Sequence, residues 1–373
     1  MDLLPFPLEQ WLAEHEFSEP PIRFNLAAST GPNWTLKDVL ALVGEDTSAL
    51  DTIKLTYAPP EGHRALRARI SAASGADPDW VVVTTGASEA MSILLCLCAQ
   101  PGGNVVLPSI AFSPFNGMAI AWGLGLKPYK LSATNGFRQT AEHTLDAVDH
   151  NTRLVIVNSP HNPTGSVMPR AEIEILAAQL KRRKIPLVVD EVYHALYHGK
   201  EQHSAVGIDN AIVVGDMSKT LSLAGLRTGW IIDPDAERRK RIILARMTFT
   251  VSGSPLLDAV TERALGSREQ LVSRTHAVAK PNLVALEGFM ALHANTLSWV
   301  RPEGGMVAFP WFRDLRNSRP FCELLARKGV LVAPGDCFGM PHHIRIGFGA
   351  RADGFPIALE IMAEALHEMR LEA

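Results

Sequence analysis

Chemically capable residues of several kinds stand at one kind of place in this sequence, soon after short apolar runs that read as β-strands. Lys219 follows Ala211-Ile212-Val213-Val214 in the stretch Gly215-Asp216-Met217-Ser218-Lys219. Its neighbours are small or apolar, and there desolvation and a nearby cation lower an amine's pKa and make it a nucleophile toward carbonyls. Arg227, eight residues on, supplies that cation or holds a phosphate. A lone lysine beside a strand is otherwise a solvated surface group. Asp190 ends Pro186-Leu187-Val188-Val189, and Tyr193 lies three residues beyond it, on the same side if a helical turn begins there. A carboxylate so placed is costly without a cationic partner, although a helix cap reads the same way. Asn158-Ser159-Pro160-His161-Asn162-Pro163-Thr164-Gly165 presents His161 and Asn162 on a backbone fixed by two prolines and a glycine. Thr85-Gly86-Ala87-Ser88-Glu89 opens a helix with small residues, whose free N–H groups and dipole suit a phosphate; Ser88 as an ordinary N-cap explains the same pattern.

The elements that must position these groups are legible from periodicity. Val81–Thr84, 104–107, 153–157, 186–189, 211–214 and 229–232 are short β-branched runs separated by amphipathic stretches, the pattern of a mostly parallel sheet covered on both faces. In such sheets ligands gather at the carboxyl ends of the strands. The fold class expected is α/β, with a large domain over 46–270 and a smaller α+β domain formed by 271–373 and the N-terminal segment 1–45. A long helical stretch runs from Pro255 toward Ala291, strands lie near Val307 and Ile344, and a last helix starts near Phe355.

Composition narrows the function classes. The 373 residues carry 36 Lys+Arg and 39 Asp+Glu, a formal charge of −3, which leaves no basic footprint for nucleic acid. No charge occurs between Glu89 and Lys127, but Pro101, Gly102, Gly103, Pro108 and Pro114 cut that run into pieces too short to span a bilayer. The four cysteines form no CxxC pair, which argues against a zinc site and a disulfide framework and fits a reducing cytosol. Met1-Asp2-Leu3-Leu4-Pro5-Phe6-Pro7 has no basic region followed by an apolar core, so no signal peptide is expected. Adjacent His342 and His343 point to opposite faces of a strand, and His194 and His198 lack a third ligand, so no metal site is expected.

A phosphate cradle, a carboxylate, a phenol, an amide and an amine around one sheet edge are the set that pyridoxal 5'-phosphate requires. His161-Asn162-Pro163-Thr164-Gly165, Asp190-Glu191-Val192-Tyr193 and Ser218-Lys219 with Gly225-Leu226-Arg227 resemble, in order and spacing, the signatures of the class I/II aminotransferases, enzymes of fold type I. The resemblance runs from Tyr57 to Arg345. It implies that Lys219 holds the cofactor as a Schiff base and moves the proton of the substrate's Cα. Asp190 would keep the pyridine nitrogen protonated, and Tyr193 and Asn162 would bond the ring hydroxyl oxygen. Gly86, Ala87, Ser88, Ser218 and Arg227 would hold the phosphate, and Phe112 would stack on the ring, a residue otherwise read as core. Arg345, an arginine inside an apolar strand, would clamp the substrate α-carboxylate together with Asn162. Tyr57 would reach the phosphate of a second subunit, so a homodimer with shared active sites is implied.

The pattern departs from the family at Asp216, where a phosphate-contacting Ser is common; a carboxylate there repels a phosphate and is not assigned to it. Arg246 does not align convincingly with the arginine that binds acidic side chains, so a dicarboxylate preference is not favoured. The activity implied is transfer of an amino group from an L-amino acid to a 2-oxo acid. The rival is a lyase or a specialised biosynthetic synthase on the same fold. Pro7-Leu8-Glu9-Gln10-Trp11-Leu12 and Phe24-Asn25-Leu26-Ala27-Ala28-Ser29 have a looser resemblance to the capreomycidine-synthase type, which cyclises an arginine derivative. A cofactor-binding regulator is disfavoured by the charge and by the short stretch ahead of Tyr57.

Overall fold

The computed structural model describes residues 4–16, 19, 21–350 and 353–371; Met1, Asp2 and Leu3, used in the signal-peptide reading, lie outside them. Helix α1 (Pro7–Glu16), strand β1 (Phe24–Asn25), α2 (Leu36–Ala41) and α3 (Arg64–Ser74) come first. The middle of the chain alternates β2 (Val81–Thr84), α4 (Gly86–Cys98), β3 (Asn104–Pro108), α5 (Ser113–Ala121), β4 (Gly125–Tyr129), α6 (Ala141–Asp146), β5 (Thr152–Asn158), α7 (Arg170–Arg182), β6 (Leu187–Asp190), β7 (Ala211–Asp216) and β8 (Gly229–Ile232). Helices α8 (Ala236–Phe249), α9 (Pro255–Gly266) and α10 (Arg268–Leu292) lead to β9 (Leu297–Ser298), β10 (Val307–Ala308), β11 (Trp311–Phe312), α11 (Arg319–Arg327), β12 (Val330–Leu331), β13 (Ala333–Pro334), β14 (Ile344–Gly347) and α12 (Phe355–Leu371).

Seven strands form one sheet in the order β2-β8-β7-β6-β5-β3-β4, parallel except for β8, which runs antiparallel to both of its neighbours. Successive strand residues point to opposite faces, so a buried sheet needs apolar residues at every position. Val81, Val83, Val155, Val157, Val189 and Val213 accordingly enter one apolar core. Val82, Leu154, Ile156, Val188, Ile212 and Val214 enter the other, beneath α4, α5 and α8. Each fully buried aliphatic side chain contributes about 1.5–3 kcal/mol, which fixes the register of the central strands. That register brings their polar ends together: Asn158 pairs with Asp190, and Asp216 with Gly229.

Two elements differ from the sequence expectation. Strand β4 falls on Gly125-Leu126-Lys127-Pro128-Tyr129, which lacks an apolar run because it is the edge of the sheet and only Tyr129 is fully buried. The helical stretch after Pro255 is two helices, parted at Ser267, whose ψ of 31° leaves the helical range. The N-terminal segment joins the C-terminal part of the chain: β1 lies parallel to β12, Phe24 opposite Val330, and Trp11 Nε1 donates to Val332 O at 2.9 Å. On these pairings we propose that 1–45 and 271–373 act as one unit beside 46–270. Within it β10, β14 and β13 form an antiparallel sheet that carries Arg345. Among the described residues no helix is long and apolar enough to cross a membrane.

Candidate active site

A cavity of about 620 Å³ opens at the carboxyl ends of β5, β6 and β7. Ala87, Ser88, Phe112, Asn162, Asp190, Tyr193, Ser218, Lys219 and Arg227 all line it. Lys219 follows β7 in a turn fixed by Asp216, whose Oδ1 accepts the Ser218 N–H at 2.9 Å. This bond turns one oxygen of the Asp216 carboxylate toward the backbone and gives that acid a local structural task. Lys219 Nζ donates to Ser29 Oγ at 3.0 Å, and Tyr193 OH donates to Ser29 O at 3.4 Å.

Asp190, at the end of β6, is 5% exposed and has no cation in salt-bridge range among the described residues. One oxygen accepts the Val192 N–H at 3.1 Å. Burial pushes its pKa up to about 7, and the neighbouring Asp216 adds to the rise while Lys219 opposes it. The loop after β5 is held from within: Asn158 Oδ1 accepts the Asn162 N–H at 2.8 Å, and Gly165 N donates to His161 O at 2.7 Å. His161 is buried, bonded through Nδ1 to Thr164 Oγ1 at 2.8 Å, and burial lowers its pKa to about 4, so the ring is neutral. It supports the loop while Asn162 faces the cavity.

In the turn between β2 and α4 the Thr85 N–H is taken by Glu89 Oε2. Its N-cap is Thr85, with no side-chain cap bond, and Ser88 sits inside the first helical turn. Gly86 has a φ of +72°, which favours glycine, and a Cβ there would lie 2.7 Å from Arg227 Nη2 and push the guanidinium aside. Arg227 donates to Ala224 O at 3.2 Å and forms no salt bridge among the described residues.

Arg345 lies behind Asn162 on β14. Its Nη1 donates to Asn162 Oδ1 at 3.2 Å and its Nη2 to Ala27 O at 2.6 Å, while Nε is buried without a partner. Arg345 is 1% exposed, no carboxylate is bonded to it among the described residues, and burial lowers its pKa. A buried cation with an unspent donor is a receptor for a carboxylate. Tyr57, 85% exposed, stands outside the cavity of its own chain. Arg246 also lies outside, buried, with Nη1 bonded to Pro60 O and Nε 3.9 Å from Glu89.

Sequence reasoning assigned no role to Ser29, Asn158, Phe6 or Glu9, all of which bond to or line the site. Asn158 was findable as the polar end of its strand. Ser29, Phe6 and Glu9 come from the N-terminal segment, and no local pattern points from there to Lys219.

The family model for aminotransferase class I and II matches residues 25–360. The chain belongs to this family. Capreomycidine synthase of Streptomyces vinaceus is 32% identical over 367 residues, 96% of this chain and 93% of that protein. Arginine–pyruvate transaminase of Pseudomonas aeruginosa is 29% identical over 78% of this chain and 77% of its own. Among solved structures, the PLP-dependent cyclase OrfR superposes with a TM-score of 0.88 at 28% identity, covering 99% of this chain and 98% of its own. A PLP-dependent aminotransferase from Streptococcus suis gives a TM-score of 0.90 at 24% identity over 99% of both chains, which shows the shared fold. The protein is therefore a pyridoxal-phosphate-dependent enzyme of fold type I. Its residues fit that cofactor: an uncapped helix N-terminus beside an unpaired arginine suits the phosphate, and a buried carboxylate without a cation suits a protonated pyridine.

Proposed function

We propose that the enzyme transfers the amino group of an L-amino acid to a 2-oxo acid. The observation that carries this reading is the buried guanidinium of Arg345, which has no carboxylate partner among the described residues and is bonded at 3.2 Å to Asn162, a residue that lines the cavity with Lys219 and Asp190. When bound, pyridoxal phosphate supplies an aldehyde for the substrate's amine and a ring that accepts the electrons released at Cα. Lys219 would hold that aldehyde, and its amine, once displaced by the amine of the substrate, would carry the proton removed from Cα. Ser29 Oγ orients this amine. Asp190 would keep the ring nitrogen protonated, Tyr193 and Asn162 would hold the ring oxygen, and Phe112 would supply an aromatic wall for the ring. Gly86, Ala87, Ser88, Ser218 and Arg227 hold the phosphate. Arg345 fixes the α-carboxylate, so that the Cα–H bond faces the lysine. The exposed Tyr57 reaches the phosphate of a second copy; sedimentation at the mass of a single chain would refute that dimer.

A second reading is favoured by the two relatives named as a synthase and a cyclase, at 32% and 28% identity over nearly the whole chain. In it the same residues release the Cα proton, and the substrate then loses a β-substituent or closes a ring. Mixing the holoenzyme with a panel of amino acids separates the two. Stoichiometric 2-oxo acid with conversion of the cofactor to its amine form supports transfer. Ammonia or a cyclic amino acid with unchanged cofactor supports the second reading.

A further inference from the structure

We propose that Glu9 selects amino acids whose side chain ends in a cation, a guanidinium or an ammonium. This rests on the reading of the cavity as an amino-acid site and names the substrate class it takes. Five charged residues line the cavity: Glu9, Asp190, Asp216, Lys219 and Arg227. Lys219 and Arg227 are committed to the cofactor's aldehyde and phosphate, Asp190 to its ring nitrogen, and one oxygen of Asp216 to the Ser218 N–H. Glu9 has neither of its oxygens committed, making no hydrogen bond or salt bridge among the described residues.

Its placement is firm. Glu9 lies in the first turn of α1, which is seated by the buried side chains of Leu8 and Trp11 and by the Trp11 bond to Val332 O. Phe6, just before that helix, meets Phe112 edge to face with ring centres 5.7 Å apart. The cavity that Glu9 lines also carries Phe6, Phe112, Phe115 and Met118, an apolar lining for a methylene stem. Burial lowers the pKa of Arg345, and Tyr193, Cys337 and, to a smaller extent, Glu9 favour its charged form. Arg345, bonded to the cavity-lining Asn162, and Glu9 in the cavity lining thus give one site a cation and a carboxylate, a pairing that matches a substrate with an anion at one end and a cation at the other. An acidic side chain would meet Glu9 with like charge and would find no spare arginine, because Arg246 is turned to Pro60 O and Glu89.

Two pairs of probes test this on the holoenzyme. L-Arginine and L-citrulline differ in the charge of the side-chain end, and kcat/KM is measured for each. Calorimetry compares 5-guanidinopentanoate with 5-ureidopentanoate, which lack the α-amine and bind without reacting. The charged member of each pair is expected to win by about tenfold or more, the range for a hydrogen bond to an ionised partner. Glu9→Gln should erase most of that ratio, and Glu9→Asp should restore part of it. Equal binding of charged and neutral probes by the parent enzyme overturns the proposal. So does a Glu9→Gln variant that weakens both members alike, since Glu9 would then only support Arg345. If no amino acid reacts at all, the amino-acid reading itself fails, while the calorimetric ratio still decides the role of Glu9.

Discussion

Asp190→Asn should make the cofactor-free protein more stable, and by an amount that depends on pH in a defined direction. In the fold this carboxyl titrates near 7 instead of 3.8, chiefly because burial strips water from the charged form, with Asp216 and Glu191 adding repulsion and Lys219 partly offsetting it. The unfolded chain thus releases the proton some three units earlier. Below pH 4 the group is protonated in both states and costs nothing. Between pH 4 and 7 the folded state progressively loses ground, and above 7 the full penalty applies. At about 1.4 kcal/mol per unit the ceiling is about 4 kcal/mol. An unfolding entropy of about 2.1 cal/mol/K per residue over 373 residues converts that into a rise in Tm of about 5 °C. Asparagine keeps the acceptor for the Val192 N–H, so no bond is lost in exchange. The assay is calorimetry of apoprotein and variant at pH 4 to 8. A gap that widens with pH supports the reasoning. A variant that is less stable at pH 8, or a gap independent of pH, refutes it.

Other substitutions probe the remaining groups. Arg345→Lys keeps a charge but loses the planar fork, so KM for amino acids should rise about 10- to 100-fold with a smaller change in kcat; steady-state kinetics checks this, and an unchanged KM counts against the clamp. Gly86→Ala places a Cβ 2.7 Å from Arg227 Nη2 at a φ of +72°. It should weaken uptake of pyridoxal phosphate by apoprotein about tenfold or more, the loss of one charge-assisted contact, as read by fluorescence titration; parent-like affinity would show that this turn does not meet the phosphate.

What the sequence made legible is what the sheet itself dictates. Buried parallel strands must be apolar throughout, so the polar residue that ends each one stands out, and Asn158, Asp190 and Asp216 mark the edge where the cavity opens. Lys219 and Asn162 were readable because they follow those ends within a few residues. Ser29 was not, because its bond to Lys219 joins positions 190 apart and depends on the N-terminal segment pairing with β12 and packing against β13. Glu9 was hidden for the same reason, an acidic residue in the first turn of a helix being ordinary until the cavity beneath it is seen. The edge strand β4 escaped because it carries lysine and proline in place of an apolar run.

The central claim is that the amine of Lys219 carries the cofactor. Borohydride reduction of the holoenzyme, followed by digestion and mass spectrometry, fixes pyridoxyl phosphate to whichever amine bears it. The modification is expected on the peptide containing Ser218-Lys219-Thr220 and on no other lysine. A label on a different residue, or a reduced protein that carries none, would contradict the account.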